Sequence, residues 1–310
     1  MRKLAAPLRL TWDWDWPPVV HPWAPARRPT PETVRTIGAE IVRAGVLLLE
    51  VGYPDPEALR SGELAAALAG FEGTLSLVLE PRAAASLAGF DLRSSLRVEE
   101  VWLDATPGGE PLPPGLETWR SVRFSLTGGN ADAVAAGIER ALSEGATAVS
   151  LPNLPLFGEL LRDPAAAAPT AAQLAPFATR VAAALRGRPG IDLRVHHYGL
   201  CELLRAAGAQ PHGEAGEGGC QAGGALAYID PAGILHPCAS LPVPLARVAE
   251  GAIRAAWADS ELAALRAAIA RLPDRCSGCP SEPTCRGGCR GWAHYLHHSW
   301  NATGPDCTRP

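Results

Sequence analysis

CSGCPSEPTCRGGC, residues 276–289, sets four cysteines in the order C-x2-C-x5-C-x3-C. Thiolates this close together, framed by glycines, make either a disulfide knot or a metal site. Cys276 and Cys279 can approach one centre from a single tight turn. Cys285 and Cys289 return on the far side of a short loop. Gly287 and Gly288 let backbone pass close to a bulky group where a Cβ would clash. Pro280 and Pro283 stiffen the loop between them.

Working outward, Cys220, Cys238 and Cys307 flank this stretch, Cys201 stands further upstream, and the first 200 residues carry no cysteine. Soft thiolates hold iron–sulfur clusters, usually four per cubane. Zinc uses the same donors, although seven cysteines exceed one tetrahedral set and would need two sites. A disulfide knot is the third reading, and it requires an oxidising compartment. A segment so rich in Cys, Gly and Pro cannot pack a large apolar core of its own, and a metal site would supply the missing cohesion.

The chain around it has 310 residues, 47% of them apolar, enough for one large domain and one small one. Net charge is −4 and Lys3 is the only lysine. No basic stripe runs along the sequence, so nucleic acid is not an expected partner. The start, MRKLAAPLRLTWDWDWPPVV, has no 7–15-residue apolar core and does not read as a signal peptide. No 18-residue apolar run reads as a membrane span. The expectation is a cytoplasmic chain with reduced thiols, which favours metal over disulfides.

Before the cysteines, short apolar runs alternate with helical patterns. Strands are expected at Leu8–Trp12, Val46–Val51, Thr74–Leu79, Leu96–Leu103, Ser121–Leu126, Ala146–Leu151 and Ile191–His196. Helices are expected at Thr33–Ala44, Pro56–Ala69, Ala131–Ser143, Thr170–Leu185 and Leu200–Ala207. This rhythm predicts an α/β fold with a parallel sheet, a partial or full (β/α) barrel, with a doubly wound open sheet as the alternative. Gly128-Gly129-Asn130 lacks any nucleotide fingerprint and reads as a tight turn with an N-cap asparagine. Residues 208–219 read as a linker, so the expected division is a barrel over 1–207 and a small cysteine-rich domain over 208–310. Within the latter, Pro231-Ala232-Gly233 signals a hairpin. Val248–Leu272 reads as helical with a break near Ala258-Asp259, and Gly291–Ser299 as a short helix.

The ordered pattern Cys220-x12-Gly233-x4-Cys238, Cys276-x2-Cys279-x5-Cys285-x3-Cys289 and Cys307, with YIDPAGILHPC at residues 228–238, resembles the seven-cysteine SPASM signature. That domain follows the barrel in radical SAM enzymes that modify peptides. The resemblance implies two auxiliary [4Fe-4S] clusters. Cys276, Cys279, Cys285 and Cys307 would hold the second. Cys220, Cys238 and Cys289 would hold the first, which wants one more ligand. No cysteine stands just upstream of Cys220, so Cys201, His212 and Glu214 are the candidates for that place, although Cys201, at the start of an expected helix, reads first as a buried core cysteine.

The upstream half is similar to a radical SAM barrel in element order, yet it departs from the family where the chemistry begins. The loop after the first strand should carry C-x3-C-x2-C. Here PLRLTWDW runs into DWPPVVHPW, and His21 cannot replace three thiolates. The GGEP-like turn after the second strand reads VGYPDPE at residues 51–57, keeping only Pro54. The resemblance is therefore to the partner-type SPASM protein of GeoRSP systems. It implies an iron–sulfur-binding accessory protein of a radical SAM peptide-maturation system that does not cleave S-adenosylmethionine itself. Its partners would be a complete radical SAM/SPASM maturase, its peptide substrate, or both. Two alternatives stand beside it: an enzyme with repurposed barrel-pocket chemistry, and a structural zinc-binding scaffold.

Trp12, Trp14, Trp16 and Trp23 crowd the place of the missing cluster loop, either as a plug or as a docking surface. Asp13 and Asp15 between them read as solvated or capping carboxylates. His196, His197, His294, His297 and His298 read as cover for the small domain, although His294 and His298 have a metal-capable helical spacing.

Overall fold

A computed structural model describes residues 4–18, 20, 29–105, 120–213 and 219–308. These residues form two compact units. The first is built from the described residues up to 103 and from 222–267, the second from 104–105, 120–213, 219–221 and 268–308. The described strands are β1 (Arg9–Asp13), β2 (Leu48–Gly52), β3 (Thr74–Leu79), β4 (Val98–Asp104), β5 (Ser121–Arg123), β6 (Ala148–Leu151), β7 (Asp192–Val195), β8 (His212–Gly213), β9 (Leu226–Ile229), β10 (Ile234–His236) and β11 (Ala246–Arg247).

In the first unit the strands run in the order β11-β10-β9-β1-β2-β3-β4. β9, β1, β2, β3 and β4 are parallel neighbours, while β10 and β11 add antiparallel edges. The central register aligns Trp12 with Val51 and Val51 with Leu77. Strands buried on both faces need such apolar residues in succession. The first crossover helix, expected over Thr33–Ala44, runs over Pro31–Ala44. The Thr30 hydroxyl accepts from the Thr33 N–H, Pro31 occupies the first turn, and Gly45 closes the helix at φ 76°. Its apolar stripe buries Val34, Ile37 and Ile41. The helix expected over Pro56–Ala69 is instead two, Pro56–Arg60 and Glu63–Ala67. Gly62 between them takes a left-handed φ of 77°, which ends one helix and starts the next.

The hairpin signal at Pro231-Ala232-Gly233 produces β9 and β10. The Asp230 carboxylate accepts from the Ala232 and Ile234 N–H groups, and Gly233 takes φ 75°. The sequence reading did not foresee that β9 pairs in parallel with β1, aligning Thr11 with Tyr228 and Trp12 with Ile229. The helical stretch after β11 breaks near Asp259 as expected, into Ala252–Ala258 and Ser260–Ala270. Glu40, almost fully buried, accepts from the Gly251 and Ile253 N–H groups and so caps the first of these.

The second unit repeats the β/α rhythm with β5-β6-β7-β8, all parallel. Helices Ala131–Ser143, Ala171–Leu185 and Tyr198–Ala206 follow β5, β6 and β7. Val122, Phe124, Ile138, Val149, Leu174, Phe177 and Val195 lie in its core. Thr170 and Gln173 form a reciprocal capping box at the start of Ala171–Leu185. Asn130 occupies the N-cap position but does not cap the helix. Its amide accepts from the Thr127 N–H and donates to the Ser125 carbonyl, bracing the preceding turn.

Candidate metal centre

The cysteine loop at 276–289 and the tail after His297 fold largely by turns. The Cys279 N–H closes a turn onto the Cys276 carbonyl (3.0 Å), with Gly278 at φ 72°. The Glu282–Cys285 helical turn then delivers Cys285, and Arg286, Gly287 and Gly288 all take positive φ to reverse the chain. The C-terminal tail is tied back to this loop at two points. The Gly304 N–H donates to the Gly287 carbonyl (2.9 Å). Asn301 exchanges two hydrogen bonds with Asp274, each 2.8 Å. Cys307 is thereby brought to the loop from 18 or more residues away in sequence.

The result is one cavity of about 40 Å³ that Cys276, Cys279, Cys285 and Cys307 all line. A single ordered water needs about 10–15 Å³, so the space exceeds that of one small body. Its walls include Gly199 and Glu202 of helix Tyr198–Ala206, and Asp306. Asp306 is buried and accepts from the Gly199 N–H at 2.8 Å. A Cβ on Gly199 would fall 1.8 Å from the Asp306 carbonyl oxygen, so this approach requires glycine. Glu202 accepts from the Ser281 hydroxyl and from the Thr308 hydroxyl, holding the loop and the tail to the same helix.

The thiols bear the mark of this enclosure. Burial pushes the Cys285 thiol up to about 12, and hydrogen bonds from the Gly287 and Gly288 backbone pull it back only in part. Burial also raises Cys276, helped by the negative charge that Cys307 and Cys279 would carry. Thiolates here would repel one another and lack solvation, which a bound cation or cationic cluster would relieve. The donor set and the cradle fit an iron–sulfur cluster. Four cysteines share one cavity, and the Gly287 and Gly288 N–H groups donate to the Cys285 sulfur. Among the described residues, no group of three or more His, Cys, Asp or Glu side chains is placed to hold a single metal ion. None of the eight cysteines is in a disulfide.

The other expected ligands are placed as follows. Cys220 and Cys289 belong to the second unit and Cys238 to the first, all three half-buried. Asn153 reaches the Cys289 sulfur at 3.9 Å. Cys201 sits in the apolar core of the second unit, its thiol donating to the Val195 carbonyl at 3.6 Å, and it does not line the cavity. His212 is exposed on β8. Glu214 lies outside the described residues, as do His21 and Trp23.

The histidines divide. His197 is buried with neither ring nitrogen hydrogen-bonded among the described residues, and burial lowers its pKa against the pull of Asp306. His294 stacks on Trp300 at 4.1 Å. The helix carrying it ends at His297, and His298 is its left-handed cap. Sequence reasoning missed Gly199, Glu202 and Asp306. A glycine at the start of a helix was the one signal that something approaches there.

In the first unit, the end of β1 is filled. Trp12 and Trp14 are 1% and 3% exposed with ring centroids 5.3 Å apart, so neither of these two offers a docking surface. Trp16 is half-buried. Asp13 corrects the expectation of a solvated carboxylate. It is buried and accepts from the Tyr228 hydroxyl at 2.9 Å, a contact made possible by β9 joining β1. A Cβ on Gly52 would fall 2.0 Å from the Asp13 carboxylate, so the turn after β2 keeps its glycine for that neighbour. Asp15 accepts from the Trp16 N–H.

No family model matches this chain, and no curated protein matches it. Solved structures do. Native anSMEcpe with bound AdoMet and Cp18Cys peptide matches with a TM-score of 0.67 at 13% identity, over 97% of this chain and 94% of that one. Streptococcus suis SuiB bound to S-adenosylmethionine matches with a TM-score of 0.61 at 14% identity, over 98% of this chain and 78% of that one. The fold is radical-SAM-like. The likeness spans nearly the whole chain, while sequence identity is too low to carry more than architecture. Among the described residues no helix is long and apolar enough to cross a membrane.

Proposed function

We propose that this chain is an iron–sulfur accessory protein of a radical SAM peptide-maturation system of the GeoRSP type. The observation that carries the reading is the single cavity onto which Cys276, Cys279, Cys285 and Cys307 converge. These four residues would hold one auxiliary cluster, and such a group supplies one-electron transfer when bound. The set Cys220, Cys238 and Cys289 rests on the sequence pattern, with its remaining ligand unassigned. Peptide binding is supported by the radical-SAM-like fold and by the peptide in the anSMEcpe structure, while a partner maturase rests on the sequence resemblance alone. The chain's own residues argue against radical initiation. The loop after β1 offers no cysteine, and the buried Trp12, Asp13 and Trp14 occupy the end of that strand.

Anaerobic purification and reconstitution, followed by iron, sulfide and zinc analysis and S-adenosylmethionine turnover, tests this. Expected are iron and sulfide in equal amounts, with no cleavage of S-adenosylmethionine. Zinc without iron makes the chain a scaffold, and cleavage of S-adenosylmethionine ends the accessory reading.

A further inference from the structure

Arg290 is an unusual residue to find inside a protein. Only 1% of it is exposed, although arginine is almost never fully buried unless paired with an acid. Its Nη1 donates to the Ala302 carbonyl and its Nη2 to the Trp300 carbonyl. Its Nε has no partner among the described residues, and no carboxylate there forms an ion pair with it. Two neutral carbonyls satisfy hydrogen bonds but do not neutralise a charge, and an uncompensated buried cation is costly.

The negative partners at hand are sulfur. Arg290 follows Cys289, and a Cβ on Gly287 would fall 3.0 Å from its Nη1, which places the guanidinium against the wall of the thiol cavity. Gly287 lines that cavity together with Cys276 and Cys285, and Cys289 immediately precedes Arg290 in the chain.

We propose that Arg290 is the buried counter-cation of the cysteine-bound iron–sulfur centre, stabilising the extra negative charge of its reduced state. This rests on the reading above that these cysteines hold such a centre. A cation fixed in a poorly solvated site acts strongly on charge a few ångströms away. Adding one electron is therefore easier with Arg290 present, and the reduction potential is higher. The competing role is mechanical: the two carbonyl contacts clamp the tail that carries Cys307.

The two roles separate in a potentiometric titration of reconstituted wild type, Arg290→Met, Arg290→Gln and Arg290→Lys, followed by visible and electron paramagnetic resonance spectra. Removing the charge is expected to lower the reduced-to-oxidised ratio at fixed ambient potential about tenfold, about 59 mV for one electron. Arg290→Lys keeps the charge while losing the planar fork, and its midpoint is expected to stay near wild type. Equal potentials in all four proteins overturn the proposal. A fall in Arg290→Lys as large as in Arg290→Met shows the mechanical clamp and overturns it too. If Arg290→Met does not fold, Arg290→Gln against Arg290→Lys makes the same comparison. Wild type that takes up no iron or sulfide overturns the functional reading itself, a result distinct from loaded proteins of unchanged potential.

Discussion

The end of β1 in the first unit and the thiol cavity in the second present opposite solutions to the same problem of filling space. After β1, Trp12 and Trp14 are packed away and Asp13 is tied to Tyr228. In the second unit the glycines of RGGC, the Gly199–Asp306 approach and the tied-down tail leave room, and four thiols line it. Large aromatic side chains give the first region cohesion through burial. The second is built largely from turns, and burial pushes the Cys285 thiol up to about 12 and raises that of Cys276. A region stabilised by packing has no need of a cofactor, while one organised around a cavity is completed by what enters it.

The sharpest test of this contrast removes the donors. Cys276→Ala with Cys285→Ala is expected to lower bound iron by about four per chain, the content of one cubane. Iron and sulfide analysis reads this, and an unchanged iron content breaks the assignment of the cavity. The next effect lies at the other region. Trp12→Ala is expected to cost about 3–5 kcal/mol by denaturant unfolding, the usual consequence of emptying a large aromatic site. Iron content in that variant should stay at the wild-type level. A variant that keeps its stability but loses iron would mean that β1 serves the cluster and not the packing.

A smaller effect is expected at Tyr228. Tyr228→Phe removes a donor to the buried Asp13 and should cost about 1–3 kcal/mol. Burial, and then the Asp13 charge, raise the Tyr228 pKa well above its ordinary value. The folded phenol therefore keeps its proton where the unfolded one releases it, near pH 10. The stability this proton carries is intact below that pH and is lost as pH rises above it. Wild type should lose stability more steeply than Tyr228→Phe in that window. Parallel slopes would remove Tyr228 from the account.

Much of this molecule was legible along the chain because the signals are local. Thr30 and Pro31 start a helix, Gly45 ends it, and Asp230 with Gly233 turns a hairpin, each acting within a few residues. The thiol spacing is local too, and four of the seven expected ligands share one cavity. Less legible were features that depend on distant partners. The split of the expected Pro56–Ala69 helix is the exception, a local left-handed turn at Gly62 that helical periodicity does not reveal. Asp13 reads as solvated until β9 places Tyr228 beside β1. Asp306 and Arg290 carry no motif, and their burial arises only once the tail is folded back.

The sequence by itself determined the kind of chemistry this chain can hold: soft donors in an ordered series, and none after the first strand. It also determined the alternation of strands and helices, since periodicity and caps act over a few residues. Only the tertiary structure decided which thiols face one space, which carboxylate is buried, and that a lone arginine lies against the cavity. Burial and charge environment are properties of the surroundings, and residues far apart in the chain create them.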